Sequence, residues 1–96
     1  MNIAGYPFDG PYDHNRGFTQ SFGCVYALIN SSNNLIDVGE TSDVNERIPN
    51  HDRKACWLRN GCPNHNLYIH KSPDQNYRLN LENAIRQRYS PTCGVR

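Results

Sequence analysis

The sequence predicts a small α+β domain in which a three-stranded antiparallel sheet is flanked by helices. Three observations support this fold class: a short apolar run at Cys24–Ile29, a second short run at residues 35–38 after a polar turn, and a long segment of helical periodicity at residues 76–89. The length of 96 residues leaves room for one domain and excludes folds that need separate cofactor and substrate lobes. We expect residues 1–22 to form an irregular N-terminal arm packed on a domain that spans residues 23–96.

The predicted sheet begins with an antiparallel hairpin. The run Cys24–Ile29 is short, β-branched and aromatic, which is typical of a strand buried on both faces. Residues 30–34 are asparagines and serines, whose side chains hydrogen-bond to nearby backbone and favour a turn. Residues 35–38 then form the second strand and residues 67–69 the third. Residues 1–22 are rich in Gly, Pro, Asp and Asn without a regular period, so no strand is predicted there.

A short helix is predicted to follow the second strand. Asp43 is a good N-cap residue, and Glu46 stands three residues later. Pro49 lacks a backbone donor and disfavours helical geometry at Ile48, so the helix is expected to break or kink there. Residues 50–58 can resume as a second helical segment.

The clearest helix is predicted over residues 76–89. Apolar side chains recur at helical spacing and predict one buried stripe, formed by Tyr77, Leu81, Ala84, Ile85 and Tyr89. Charged side chains recur every fourth residue on a neighbouring face, namely Arg78, Glu82 and Arg86. The order strand, strand, helix, strand, helix is that of a small α+β domain.

The net charge of +1 hides a strong asymmetry between the two halves of the chain. Residues 1–52 hold seven acidic and two basic side chains, a balance of −5, whereas residues 53–96 hold eight basic and two acidic side chains, a balance of +6. Such asymmetry favours a polyanionic partner, although folding can also mix the halves into a balanced surface. No apolar run approaches the ~20 residues of a membrane helix, and no signal-peptide pattern is visible. We therefore expect a cytoplasmic protein without a membrane partner.

The four cysteines allow two interpretations. Without a secretory signal, all four are expected to be reduced thiols. A zinc site can also be assembled from Cys56, Cys62, His51 and His65. Five residues separate the two cysteines, however, where two to four are usual. A small zinc-binding structural protein is therefore kept only as an alternative.

Several short motifs follow one another in an informative order. They are the triplet Cys24-Val25-Tyr26, the triplet Asp37-Val38-Gly39, and then Thr41, Arg47, His51, Glu82, Tyr89 and Pro91. This order and spacing resemble the signature of the GIY-YIG nuclease superfamily, over roughly residues 22–94. Three positions depart from that pattern: Cys24 replaces a glycine, Asp37 replaces the first tyrosine of the second triplet, and Gly94 stands where an asparagine is frequent.

The resemblance implies a metal-dependent endonuclease that hydrolyses nucleic-acid phosphodiester bonds, with DNA favoured. By this resemblance, Tyr26 helps to activate or position the attacking water and His51 assists the proton transfers. Arg47 contacts the scissile phosphate, and Glu82 holds one divalent cation, Mg²⁺ or Mn²⁺. Phosphoryl transfer needs just such a positioned nucleophile, a cationic clamp and a metal near the reacting oxygens.

Asp37 leaves two functional interpretations open. A carboxylate near Tyr26 can serve as a catalytic base or as a second metal ligand. It can equally repel the phosphate, which would make the chain a catalytically inactive nucleic-acid-binding module on the same fold. Ordinary structural roles also remain open for other members of the set, since Tyr26 suits an apolar core and Glu82 suits an ion pair with Arg78 or Arg86.

Basic side chains in the second half are candidates for binding the nucleic-acid backbone. We predict that they form a phosphate-tracking edge beside the active cleft, built from Arg53, Lys54, Arg59 and Lys71. The chain has little room for a separate recognition domain. We therefore expect little sequence specificity unless a dimer or a partner protein supplies it, and residues 1–22 are the only candidate for an added recognition element.

Overall fold

Four antiparallel strands form the sheet on which the rest of the molecule is built. The structure is a computed structural model and describes residues 1–94; the last two residues of the predicted domain at 23–96 lie outside the described part. The strands are β1 (Asn2–Ile3), β2 (Tyr6–Pro7), β3 (Asp9–Tyr12), β4 (Cys24–Ile29), β5 (Leu35–Thr41) and β6 (Leu67–Lys71). The sheet has the order β3-β6-β4-β5, and β1 pairs with β2 in a separate ribbon.

The hairpin of β4 and β5 agrees with the sequence prediction. All six residues of β4 are buried, as expected of a strand covered on both faces. Its alternating side chains enter two apolar clusters: Tyr26 and Leu28 pack with Trp57, whereas Val25 and Ala27 pack with Ile85. The register aligns Tyr26 with Gly39 of β5, which brings the two signature triplets together.

The first part of the N-terminal arm forms three short strands, β1 to β3, whereas residues 13–22 form neither strand nor helix. The predicted three-stranded sheet is one strand short. β3 pairs with β6 at one edge of the sheet. This strand contains Gly10 and Pro11, residues that are depleted in strands, and proline is tolerated mainly at such an edge. Ile3 and Phe8 are buried in the same apolar cluster as Ile85. The composition of residues 1–22 therefore does not predict β3, which is stabilised by its pairing with β6.

Three helices complete the described chain: α1 (Val44–Arg47), α2 (Lys54–Arg59) and α3 (Gln75–Tyr89). Asp43 is the N-cap of α1, as predicted, and its side chain accepts a hydrogen bond from the backbone of Glu46. The chain leaves helical geometry around Pro49 before α2 begins, which agrees with the predicted break. Among residues 1–94, no helix has the length and apolar character that a membrane span requires.

The buried face of α3 differs from the predicted stripe. Leu81 and Ile85 are buried, but three members of the stripe are exposed, namely Tyr77, Ala84 and Tyr89. Arg78 and Glu82 are buried instead. Apolar periodicity did not reveal this face because its charged side chains are paired within the fold. The helix is thus rotated about its axis relative to the prediction, and its charged side faces the sheet.

Two cysteines are joined, which corrects the prediction of four reduced thiols. Cys56 of α2 forms a disulfide with Cys93, at a Cα–Cα distance of 6.1 Å, while Cys24 and Cys62 are free and buried. The sequence separation of 37 residues gave no sign of this proximity. The zinc alternative thereby loses Cys56 as a ligand. Within residues 1–94, no three side chains of the metal-binding types are grouped.

Candidate active site

A polar cleft with a volume of about 280 Å³ opens beside the β4–β5 hairpin. Its walls are formed by the hairpin, α1, α3 and the segments beside α2. The residues that line it are Tyr26, Gly39, Glu40, Arg47, Arg53, Glu82, Arg86 and Gly94. The cleft therefore gathers three of the five predicted catalytic residues, Tyr26, Arg47 and Glu82. The other two, His51 and Asp37, are buried residues that contact members of its wall.

Tyr26 and His51 form a buried hydrogen-bonded pair. Tyr26 Oη lies 2.7 Å from His51 Nε2. His51 Nδ1 accepts the backbone N–H of Arg53 at 3.0 Å, so the neutral ring carries its proton on Nε2 and donates it to Tyr26 Oη. This assignment leaves the hydroxyl hydrogen of Tyr26 available to the cleft.

Burial keeps both members of this pair uncharged near neutral pH. It raises the pKa of Tyr26 to about 12, against the opposing effect of the Arg47 charge. It lowers the pKa of His51 to about 4, and the charges of Arg47 and Arg53 act in the same direction. In the resting site, Tyr26 is therefore a phenol and His51 a neutral imidazole.

Gly39 makes room for the Tyr26 hydroxyl. A Cβ atom at this position would overlap the phenol oxygen and would lie 3.0 Å from Tyr26 Cε2. The second triplet thus needs a glycine at this position to leave space for the phenol, and not because of its backbone conformation. It lets the two strands bring the phenol to the floor of the cleft.

Arg47 stands at the end of α1 with its guanidinium partly exposed. Its Nη2 lies 3.3 Å from Asp52 Oδ1, and the side chains are 38% and 73% exposed, respectively. An ion pair this open to water contributes little stability, typically below about 1 kcal/mol. Arg47 can therefore exchange this partner for a phosphate at small cost.

Asp37 is placed differently from the expected base or metal ligand. Its side chain is fully buried, and Oδ2 accepts hydrogen bonds of 2.8 Å from both Arg53 Nε and Trp57 Nε1. Oδ1 accepts from the backbone N–H of Val38 at 2.8 Å and from Arg86 Nη2 at 3.4 Å. These donors occupy the lone pairs of the carboxylate. The geometry fits a structural anion and does not fit a proton acceptor or metal ligand.

Two further carboxylates reach the cleft itself. Glu82 is buried on α3, and its Oε2 accepts from Arg86 Nε at 2.9 Å. The sequence allowed two ion pairs for Glu82, with Arg78 or with Arg86, and the structure contains the second. Glu40 lies at the end of β5, and its Oε2 accepts from Arg78 Nε at 2.9 Å. The cleft thus places carboxylate oxygens close to guanidinium groups.

The four predicted nucleic-acid-binding residues have different surroundings. Arg53 lines the cleft, whereas Lys54 Nζ binds the carbonyl oxygen of His14 at 3.1 Å and thereby ties the N-terminal arm to α2. Arg59 is exposed at the end of α2, and Lys71 lies over the Phe22 ring at 4.4 Å. Their contact with nucleic acid stays a prediction.

Sequence reasoning did not find the buried contacts that Trp57 and Glu40 make at the site, and it named Arg86 only as a possible ion-pair partner of Glu82. Trp57 is fully buried, bonds to Asp37 and packs against the His51 ring with centroids 4.5 Å apart. The spacing of four residues after Glu82 predicted that ion pair, whereas the contact of Arg86 with Asp37 has no such signal. Neither Trp57 nor Glu40 has a local sequence signal, because their partners are distant in the chain.

A comparison with protein families agrees with this geometry. The family model described as the GIY-YIG catalytic domain matches residues 22–94, a segment that carries every residue lining the cleft. Neither a curated protein nor a solved structure matches the chain. Since the family match spans most of the sequence and both signature triplets meet at the cleft, the chain belongs to the GIY-YIG superfamily of nuclease domains.

Proposed function

We propose that this chain is a metal-dependent endonuclease that hydrolyses phosphodiester bonds, with DNA as its substrate. The observation that carries the proposal is the convergence of Tyr26, Arg47 and Glu82 on one polar cleft. These residues come from a strand and two helices, and their types match the needs of phosphoryl transfer: a group that orients water, a cation for the phosphate and a carboxylate for a metal.

The donor set of the cleft suits a hard divalent cation. Glu82 and Glu40 supply carboxylate oxygens, and Mg²⁺ is usually held by one or two carboxylates together with waters and substrate phosphates. Glu82 would hold the Mg²⁺ or Mn²⁺ ion, with Glu40 near it. When bound, the cation would polarise the phosphate and offset charge on the reacting oxygens.

The other residues would orient the reactants. His51 holds Tyr26 Oη through its Nε2–H group, and this fixes the phenol at the cleft as a contact for the attacking water. The phenolate form of Tyr26, which burial disfavours and the nearby charge of Arg47 partly stabilises, would remove the proton from that water. Because its pKa is about 12, the rate is expected to rise with pH above neutrality. Arg47 would hold the non-bridging phosphate oxygens through its planar donor fork.

A supercoiled-plasmid nicking assay tests this proposal. With Mg²⁺ or Mn²⁺, the wild-type chain should nick the plasmid, and EDTA should abolish the activity. Tyr26→Phe and Arg47→Gln should each lower the rate by about 100-fold or more. Arg88→Gln is the matched control, because Arg88 is an exposed residue on α3 that does not line the cleft.

The outcomes separate the nuclease from the binding module. Nicking that persists in Tyr26→Phe and Arg47→Gln would contradict the proposed roles of these residues. A wild-type chain that binds DNA and fails to nick it with either metal would favour the catalytically inactive binding module. We further propose that a dimer or a partner protein supplies sequence specificity, since the cleft itself is small.

A further inference from the structure

We propose that Arg53 is a second phosphate-binding residue of the cleft, and that the buried Asp37 is the positioning residue that holds its guanidinium there. This inference rests on the proposed function and adds a residue that the signature motifs do not include. It also explains why an aspartate can stand at the first position of the second triplet.

The geometry of Arg53 leaves part of its guanidinium for a ligand. Nε and Nη2 face Asp37, at 2.8 Å from Oδ2 and 3.3 Å from Oδ1. Within residues 1–94, Nη1 has no hydrogen-bond partner, and the side chain is 28% exposed where it lines the cleft with Tyr26 and Arg47. A guanidinium fixed along one edge can present its remaining N–H groups to a phosphate.

Asp37 is itself held from the core. Trp57 donates its indole N–H to Asp37 Oδ2 at 2.8 Å, and the tryptophan side chain is fully buried. The same ring packs against His51, the partner of Tyr26. The chain of contacts from Tyr26 through His51, Trp57 and Asp37 to Arg53 therefore fixes the two sides of the cleft relative to each other.

The charge of Asp37 does not oppose a phosphate at this place. The carboxylate is fully buried and lies within ion-pair distance of both Arg53 and Arg86. Two guanidinium groups lie against this carboxylate and neutralise its charge before a phosphate enters, although Arg86 is also paired with Glu82. A salt-bridged arginine of this kind loses little conformational freedom when it binds an anion, because its side chain is already ordered. Asp37 thus organises cations for the phosphate rather than repelling it.

The salt dependence of DNA binding tests the role of Arg53 separately from catalysis. Affinity for a short labelled duplex is measured by fluorescence anisotropy at several salt concentrations, with Ca²⁺ in place of Mg²⁺. Arg53→Gln should reduce the slope of log K against log salt by about 1, the value expected for one lost phosphate contact. Arg88→Gln, at an exposed site on α3, should leave the slope unchanged.

Two more variants distinguish positioning from charge. Arg53→Lys keeps the charge and loses the planar fork, so the slope should be retained while nicking falls by about tenfold or more. Asp37→Asn should likewise keep the slope and lower the nicking rate, because Arg53 keeps its charge and loses its anchor. Melting temperatures of all variants identify any that fail to fold, and the lysine variant keeps the test valid if Arg53→Gln unfolds.

The results that overturn this inference differ from those that overturn the proposed function. If Arg53→Gln melts earlier while its salt slope and nicking rate match the wild type, Arg53 has only a structural role. A wild-type chain that shows no measurable binding to the duplex also overturns the inference. A wild-type chain that does not nick DNA, with the slope change at Arg53 intact, removes the nuclease proposal and leaves Arg53 as a phosphate-binding residue.

Discussion

Acidification is expected to destabilise the fold through the buried imidazole of His51. The ring is neutral in the folded chain because burial lowers its pKa from 6.5 to about 4. In the unfolded chain, His51 binds a proton already near pH 6.5. The unfolded state therefore takes up more protons between these two pH values, and the free energy of unfolding falls as the pH falls. The His51 contribution is fully present above pH 6.5 and lost by about pH 4.

The size of this effect follows from the two pKa values. Each pKa unit corresponds to about 1.4 kcal/mol, so the change from 6.5 to about 4 gives at most about 3 kcal/mol. Domains of this size are stable by about 5–15 kcal/mol, which makes the loss a substantial fraction of the total. His14 adds to the effect, since burial lowers its pKa as well.

Urea unfolding at a series of pH values measures this loss. Trp57 is the single tryptophan and lies against His51, so its fluorescence reports both unfolding and protonation of the ring. His51→Gln should start from a lower stability, because it changes the contact with Tyr26, but its pH dependence should be weaker than that of the wild type. The double variant His14→Gln/His51→Gln should show a weaker pH dependence than either single variant. A wild-type stability that stays constant between pH 6.5 and 4, or an equal decline in His51→Gln, would refute the reasoning.

Three further substitutions test the structure around the cleft. Gly39→Ala places a methyl group against the phenol of Tyr26, so it should lower the free energy of unfolding by about 1–3 kcal/mol and reduce the nicking rate. A wild-type melting temperature and nicking rate would contradict the close approach of Gly39 and Tyr26. Trp57→Phe removes the donor to Asp37 and should lower the free energy of unfolding by about 1.5–3 kcal/mol, measured by circular dichroism, whereas an unchanged value would make that bond unimportant. Cys93→Ser opens a covalent loop across 37 residues and should cost about 3–4 kcal/mol; a melting temperature equal to that of the unreduced wild type would argue against the disulfide.

Local patterns predicted the parts of the fold that depend on neighbouring residues. The run Cys24–Ile29, the turn after it and the N-cap Asp43 all have short-range signals, and the structure contains each of them. β3 was missed because Gly10 and Pro11 hide an edge strand whose stability comes from pairing with a distant segment. The buried face of α3 was misplaced for a similar reason, since its charges find partners only after folding.

The candidate site likewise contains residues that local motifs predict and residues whose contacts they do not predict. Tyr26 and Glu82 were recognisable because they stand in short motifs with characteristic spacing. The environment of Asp37 was not recognisable, because its partners Arg53, Trp57 and Arg86 lie 16, 20 and 49 residues away. Such contacts depend on how α2 and α3 pack against β5, and hydrophobic periodicity does not encode that packing. These donors give Asp37 a structural setting that its place in the motif does not reveal.

The Mg²⁺ dependence of plasmid nicking by wild type and Glu82→Gln tests the central claim most directly. The glutamine keeps the size of the side chain and removes the negative charge that would hold the cation. The nuclease account predicts that wild type nicks DNA in a saturable, Mg²⁺-dependent way, and that folded Glu82→Gln loses about 100-fold or more of this activity while Arg88→Gln does not. Equal nicking by wild type and Glu82→Gln at every Mg²⁺ concentration would contradict it.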